Sequence, residues 1–112
     1  MPAVTAYLKG FGIHQGMELA GYTLEHIQAK HITVERFREY SYPIFLIFTK
    51  NENSSQNSDD LLRKLKRLTR DTRIIKSRYG NPYKCDFGTP VVTHETPYNR
   101  VVISTTGHSH RV

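Results

Sequence analysis

The sequence contains a single cysteine, Cys85, among its 112 residues. No intrachain disulfide can form, and this excludes a secreted scaffold held together by disulfides. Residues 1–9 also lack the basic segment and apolar core of a signal peptide. We therefore expect an intracellular protein, cytoplasmic or nuclear, that is not secreted.

Long apolar runs are missing as well. The longest, residues 44–48, has five residues, whereas a membrane-spanning helix needs about 20. We therefore expect a soluble protein with no membrane segment. The hydrophobic fraction of 38% and the charged fraction of 23% are typical of packed globular chains. Because the length suits one core rather than two, we predict a single basic domain over residues 1–112.

Acidic residues are outnumbered by basic ones. Sixteen Lys and Arg against ten Asp and Glu give a formal net charge of +6, and the isoelectric point is near 9.6. Such a balance favours an anionic partner, either a nucleic acid or an acidic membrane surface. Charge that serves solubility alone is the other explanation.

Hydrophobic periodicity predicts an element order of approximately β-α-β-α-β-β, in which the part after the second helix comprises three strand segments. The predicted strands cover residues 4–9, 44–48, 73–79, 83–87 and 100–106, and the predicted helices cover residues 23–40 and 58–71. The first helix depends on Leu24, Ile27, His31, Val34 and Phe37, which recur at spacings of three and four. The β-branched residues 32–34 could instead break it, with Thr33 capping a second short helix. We find no internal repeat.

This order predicts an α/β (α+β) fold, a small two-layer domain with two helices packed on one mixed sheet. It resembles the order in Alba-type domains and in the C-terminal domain of bacterial translation initiation factor three. The resemblance is one of element order, and no family residues are carried over from it. Residues 50–58 are rich in Asn and Ser, which predicts a mobile loop, and we expect a frayed C-terminus.

The second predicted helix carries leucines on one side and cations on the other. Leu61, Leu62, Leu65 and Leu68 form the apolar side. Cations on one face repel each other, and an anionic partner would relieve that repulsion. The basic stretch continues beyond the helix. Each phosphate that these cations neutralised would release counterions, and this release would strengthen binding at low salt. A solvated helix face is the alternative.

Aromatic residues are interleaved with these cations around the turn at residues 80–82. Unpaired bases stack on such rings, although Tyr79, Tyr83 and Phe87 could equally pack as the core of a hairpin. We favour the two tyrosines over Phe87, because a phenol can stay partly hydrated. The predicted nucleic-acid-binding residues are therefore Arg63, Lys64, Lys66, Arg67, Arg70, Arg73, Lys76, Arg78, Tyr79, Tyr83 and Lys84.

Patterns typical of catalysis or of metal binding are incomplete. The glycine-rich segment 10–16 has neither spacing of the known phosphate-binding loops. Cys85 and His94 could form a thiolate–imidazole pair, but no motif positions them. His108 and His110 could supply two metal ligands, whereas zinc needs three or four. We therefore expect no catalytic residue, no metal and no cofactor.

These observations predict a small nucleic-acid-binding module that binds RNA. One form of this function is that of a subunit in a ribonucleoprotein. RNA is favoured because the sequence shows no helix-turn-helix, zinc-finger or basic-zipper pattern, and DNA stays an alternative. A second hypothesis is a protein-interaction or assembly subunit whose basic surface docks an acidic protein. An enzyme is the third hypothesis and the least supported, because no pair of residues has the spacing of a known mechanism.

Overall fold

The computed structural model describes residues 2–34 and 39–112. Its described part has two short helices, α1 (Val4–Gly10) and α2 (Ser58–Leu68). The strands of this part are β1 (Glu18–Leu19), β2 (Tyr22–Ala29), β3 (Ile32–Val34), β4 (Glu39–Lys50), β5 (Arg73–Lys76), β6 (Pro82–Asp86), β7 (Val91–Glu95) and β8 (Arg100–Arg111). The protein is therefore mostly β.

All of the described strand pairs are antiparallel, and they form one curved sheet shaped like half a barrel. The order is β1-β2-β4-β8-β6-β5, with β3 beside β4 and β7 beside β8. The two long strands, β4 and β8, pair from Glu39 with His110 to Thr49 with Arg100. The predicted α/β domain with two helices on a mixed sheet is thus wrong, and so is the order β-α-β-α-β-β.

The topology reveals a repeat that the sequence does not show. Within the described residues, each half of the chain has one helix followed by three shorter strands and one long strand, and the long strands of the two halves pair at the centre. The helices pack across this divide, because α1 contacts β5 while α2 contacts β1 as well as β7. Each half therefore completes the core of the other, and we expect the chain to fold as one unit.

One face of the sheet holds the core. Along β4, Tyr42, Ile44, Leu46 and Phe48 are buried on the face that the helices cover. Phe45 points to the other face and is 44% exposed. The predicted strand 44–48 is confirmed as part of β4, which lies inside the sheet between β2 and β8 and whose other face no described helix covers.

A cluster of aromatic rings joins α1 to the sheet. The Tyr7 ring stacks on the Tyr42 ring at 4.2 Å between centroids, and the Phe11 and Phe87 rings pack edge to face at 5.4 Å. The Tyr7 hydroxyl donates to the backbone carbonyl of Asp86, and burial raises its pKa. A strand was predicted over residues 4–9, but the buried Tyr7, Leu8 and Phe11 recur with helical spacing.

The helix predicted over residues 23–40 is replaced by β2 and β3. A spacing of three normally puts strand residues on opposite faces. In β2 a bulge between Leu24 and His26 shifts the register, so that Leu24 and Ile27 both face the core, opposite Phe48 and Leu46. The bulge therefore gives this strand the spacing of three residues that is typical of one face of a helix. Phe37 lies outside the described residues.

Helix α2 is confirmed, although it ends at Leu68 rather than at residue 71. Its N-cap is Asn57, whose side chain accepts from the Asp60 amide at 3.0 Å while the Asp60 carboxylate accepts from the Asn57 amide. The helix begins at Ser58, as predicted, and the Ser58 hydroxyl donates to the Glu95 carboxylate. The segment 51–57 before the helix contains neither helix nor strand, and its mobility stays a prediction.

The second half of the sheet differs from the prediction at its ends. The predicted strands 73–79 and 83–87 correspond to β5 and β6, while β7 was missed within the proline-containing connection 88–97. Strand β8 continues through Arg111, where we expected a frayed terminus, because β6 pairs Lys84 with His110. Among the described residues, no helix is long and apolar enough to cross a membrane.

Candidate nucleic-acid interface

The exposed side of α2, together with Arg70 just after the helix, carries a group of cations that we call the helix group. Its five members, all exposed, are Arg63, Lys64, Lys66, Arg67 and Arg70. The helix has this composition because Leu61 and Leu65 take the buried positions of the 3.6-residue period and leave the others to solvent. The leucine and cation sides predicted from the sequence are thus confirmed.

Few carboxylates neutralise the helix group. Arg63 pairs with Asp60 at 3.3 Å, and Arg70 pairs with Asp71 at 3.6 Å. Lys64, Lys66 and Arg67 have no ion-pair partner among the described residues. Neighbouring cations with so little compensation create a positive potential that an anion would stabilise.

A second group surrounds the turn between β5 and β6, and we call it the hairpin group. It consists of Lys76, Arg78, Lys84, Arg111 and the ring of Tyr79, which is 85% exposed. The turn itself is held by hydrogen bonds, because the buried Ser77 accepts through its Oγ from the amides of Tyr79 at 3.3 Å and Asn81 at 3.2 Å. Tyr79 is thus an exposed ring on a well-held turn.

Arg111 belongs to this group although it is not among the residues predicted to bind nucleic acid. Its guanidinium donates to the Asn81 side chain at 3.3 Å, and its backbone pairs with Tyr83. The two residues are about thirty positions apart in the chain, so that only the β6–β8 pairing brings them together. No local signal in the sequence could have found it.

Tyr83, predicted to bind bases, lies in the core instead. Its ring is 5% exposed and packs edge to face on Tyr40 at 5.6 Å between centroids. Phe87 is also buried, among the rings that join α1 to the sheet. The hairpin-core alternative therefore holds for these two rings, while Tyr79 stays available to a base.

The two groups follow one another along the same side of β8. The N-terminal end of α2 reaches β7 through Ser58 and Glu95. Its C-terminal end meets the segment 88–90 across a cavity of about 220 Å³ lined by Lys66 and Arg70. The chain then enters β5, which pairs with β6, and the partly buried Arg73 lies between the groups.

The groups nevertheless face different directions. The helix group points away from the sheet, because the opposite side of α2 packs on β1 and β7. Lys76 and Lys84 alternate with the buried Ile75 and Tyr83, so that they lie on the face that no described helix covers. A polyanion that contacts both the helix group and the hairpin group must therefore bend around the molecule from the exposed side of α2 to the uncovered face of β5 and β6.

The other chemical candidates are not assembled into a site. Cys85 is buried on the core face of β6, and burial raises the pKa of its thiol to about 11. His94 is exposed and pairs with Val102 on the uncovered face, so that the two residues do not form a catalytic pair. Among the described residues, no three His, Cys, Asp or Glu side chains could hold a metal ion.

Comparison with protein-family models, with curated proteins and with solved structures finds no match for this chain in any of the three.

Proposed function

We propose that the protein binds RNA through the helix group and the hairpin group, as an RNA-binding module or as a subunit of a ribonucleoprotein. The observation that carries this proposal is the uncompensated charge of α2, where Lys64, Lys66 and Arg67 are exposed without a carboxylate partner among the described residues. Phosphates would supply the missing negative charge.

Tyr79 supports RNA over duplex DNA within this proposal. Single-stranded nucleic acids are bound by a cationic groove that follows the backbone together with aromatic faces on which bases stack. An exposed ring among Lys76, Arg78 and Lys84 offers that combination. Bases in a duplex are already stacked and could not use it.

The first prediction concerns the phosphate contacts. Changing both Arg67 and Arg70 to Gln should weaken RNA binding and lower the slope of log affinity against log salt by about 1.4, at roughly 0.7 for each lost contact. The melting temperature should hardly change, because both side chains are exposed. Salt titrations by fluorescence anisotropy with a single-stranded oligonucleotide would measure the slope. Changing Lys30 and Arg100, two exposed cations outside both groups, gives the matched control.

The second prediction separates stacking from charge. Tyr79→Ala should weaken binding of single-stranded RNA by about 1–3 kcal/mol with an unchanged salt slope, because a stacked ring displaces few ions. Tyr98→Ala is a close control, since Tyr98 is also 85% exposed and lies in the turn between β7 and β8. Equal effects of the two variants would contradict a specific role for Tyr79.

The same binding assay decides between RNA and an acidic protein. If the protein binds no oligonucleotide at about 50 mM salt, where several phosphate contacts would be strong, the RNA proposal fails. Binding of an acidic peptide that depends on Arg67 and Arg70 would then support the assembly-subunit alternative. Duplex RNA and duplex DNA in parallel titrations would show whether unpaired bases are needed.

A further inference from the structure

Strand β2 has an edge that no described strand covers. Its neighbour β1 pairs with Tyr22 and Thr23, and the next two residues are bonded on that side by residues before β1, Leu24 to Gly16 and Met17 and the Glu25 carbonyl to Gln15. Among the described residues, only the part of β2 after Glu25 is therefore paired on one side alone, with β4. Uncovered edges offer unpaired backbone groups to other chains. This edge lies on the opposite side of the sheet from β6, with β4 and β8 between them.

The pairing with β4 shows which backbone groups point outward. The amide of Lys30 donates to the carbonyl of Pro43 at 3.0 Å, and hydrogen-bonded pairs alternate along antiparallel strands. Gln28, opposite Phe45, therefore also bonds to β4. The N–H and C=O groups of Ile27 and Ala29 point to the open edge, where they can form up to four hydrogen bonds.

Cavities flank this edge on both faces of the sheet. On the core face, a cavity of about 420 Å³ lies between α1 and β2, with Val4, Leu8 and Ile13 among its walls. On the uncovered face, a cavity of about 670 Å³ is lined by Ile32, Pro43 and Phe45. Ile27 and Ala29 line both cavities. The two cavities thus meet at the residues whose backbone groups are free.

We propose that an extended peptide segment of a partner protein adds to β2 as a further strand at Ile27–Ala29. Side chains of a strand alternate between its faces. The peptide residue opposite Gln28 enters the cavity beside Phe45, and its neighbours opposite Ile27 and Ala29 enter the cavity beside α1. Backbone hydrogen bonds supply affinity and the cavities select apolar side chains.

The charges beside the two cavities indicate which kind of residue should lie at the ends of the peptide. Lys9 lines the cavity on the core face and Lys30 lines the other, while none of the described acidic residues lines either one. A peptide with apolar residues at its centre and acidic residues at its ends would complement this arrangement. This interface lies apart from the helix group and the hairpin group, so that it goes beyond the proposed RNA binding.

An array of synthetic nine-residue peptides tests the proposal. Each peptide has Val, Ile, Leu or Phe at its central positions and paired Asp or paired Lys at its ends. We expect Asp-flanked members to bind the full chain with dissociation constants below about 1 mM and to slow amide exchange at Ile27 and Ala29. If no member binds at about 1 mM, or if binding leaves these two amides unaffected, the proposal is overturned.

Ala29→Pro removes one edge donor and should weaken the best peptide at least about tenfold. Proline is tolerated on an edge where the N–H faces solvent, and Ala29→Val, which keeps the donor, should lose less affinity for the peptide than Ala29→Pro. Because a proline variant can fail to fold, N-methylation of alternate peptide residues tests the same hydrogen bonds on the unchanged protein and should also weaken binding about tenfold. Binding that survives both changes overturns the proposal.

Light scattering and RNA titrations exclude the remaining explanations. If the protein forms dimers that Ala29→Pro dissociates, the edge pairs with a second copy and the peptide proposal is overturned. Ala29→Pro should leave the affinity for RNA within about twofold of the original, since the two surfaces are separate. Failure of RNA binding alone would leave the peptide result standing.

Discussion

Leu65→Ala is expected to lower the free energy of unfolding by about 2–5 kcal/mol, because it leaves a cavity in a packed core. Leu65 is 0% exposed and lies one helical turn after Leu61, on the side of α2 that faces the sheet. The helix also packs on β1, which belongs to the other half of the chain. The Leu65→Ala variant should therefore still unfold in one cooperative transition of the whole protein, with a lower free energy of unfolding.

Arg63→Ala is the matched control on the same helix. Its guanidinium is exposed and its pair with Asp60 at 3.3 Å is solvated, so that the expected change is below about 1 kcal/mol. Urea denaturation followed by circular dichroism would measure both variants. Small and equal losses would mean that α2 does not pack on the sheet through its leucines.

Gly107→Ala is expected to destabilise the protein by about 3 kcal/mol or more, through overpacking rather than through a cavity. A Cβ atom at this position of β8 would overlap the hydroxyl of Tyr7 and come within 3.0 Å of the Asp86 carbonyl oxygen. The Tyr7 ring cannot move aside, because it is fully buried and stacks on Tyr42 at 4.2 Å between centroids.

A double variant tests this explanation directly. Tyr7→Phe removes the hydroxyl that the new methyl group would meet, so that Tyr7→Phe with Gly107→Ala should be more stable than the sum of the two single losses implies. Thr106→Ala, at the exposed neighbouring position, should change stability by less than about 0.5 kcal/mol. Additive losses in the double variant would show that Tyr7 is not the residue that excludes a side chain at Gly107.

Local signals in the sequence predicted three elements well. Helix α2 has an amphipathic period and an acidic first turn, β4 contains an uninterrupted apolar run, and β6 alternates between buried and exposed residues. Each of these patterns is contained in a dozen residues or fewer. Elsewhere the local pattern misled, because the bulge in β2 gave a strand the spacing of a helix and α1 is too short for its period to outweigh an alternating pattern.

The sequence by itself determined that one face of α2 is cationic and the other apolar, since helical periodicity depends only on neighbouring residues. Which tyrosine is available to a ligand was decided by tertiary structure: the β6–β8 pairing buries Tyr83 and leaves Tyr79 on an exposed turn. Tertiary structure also placed Arg111 beside the hairpin and left the edge of β2 open. Strand pairing joins residues that are distant in the chain, and no local pattern encodes which partner a strand will have.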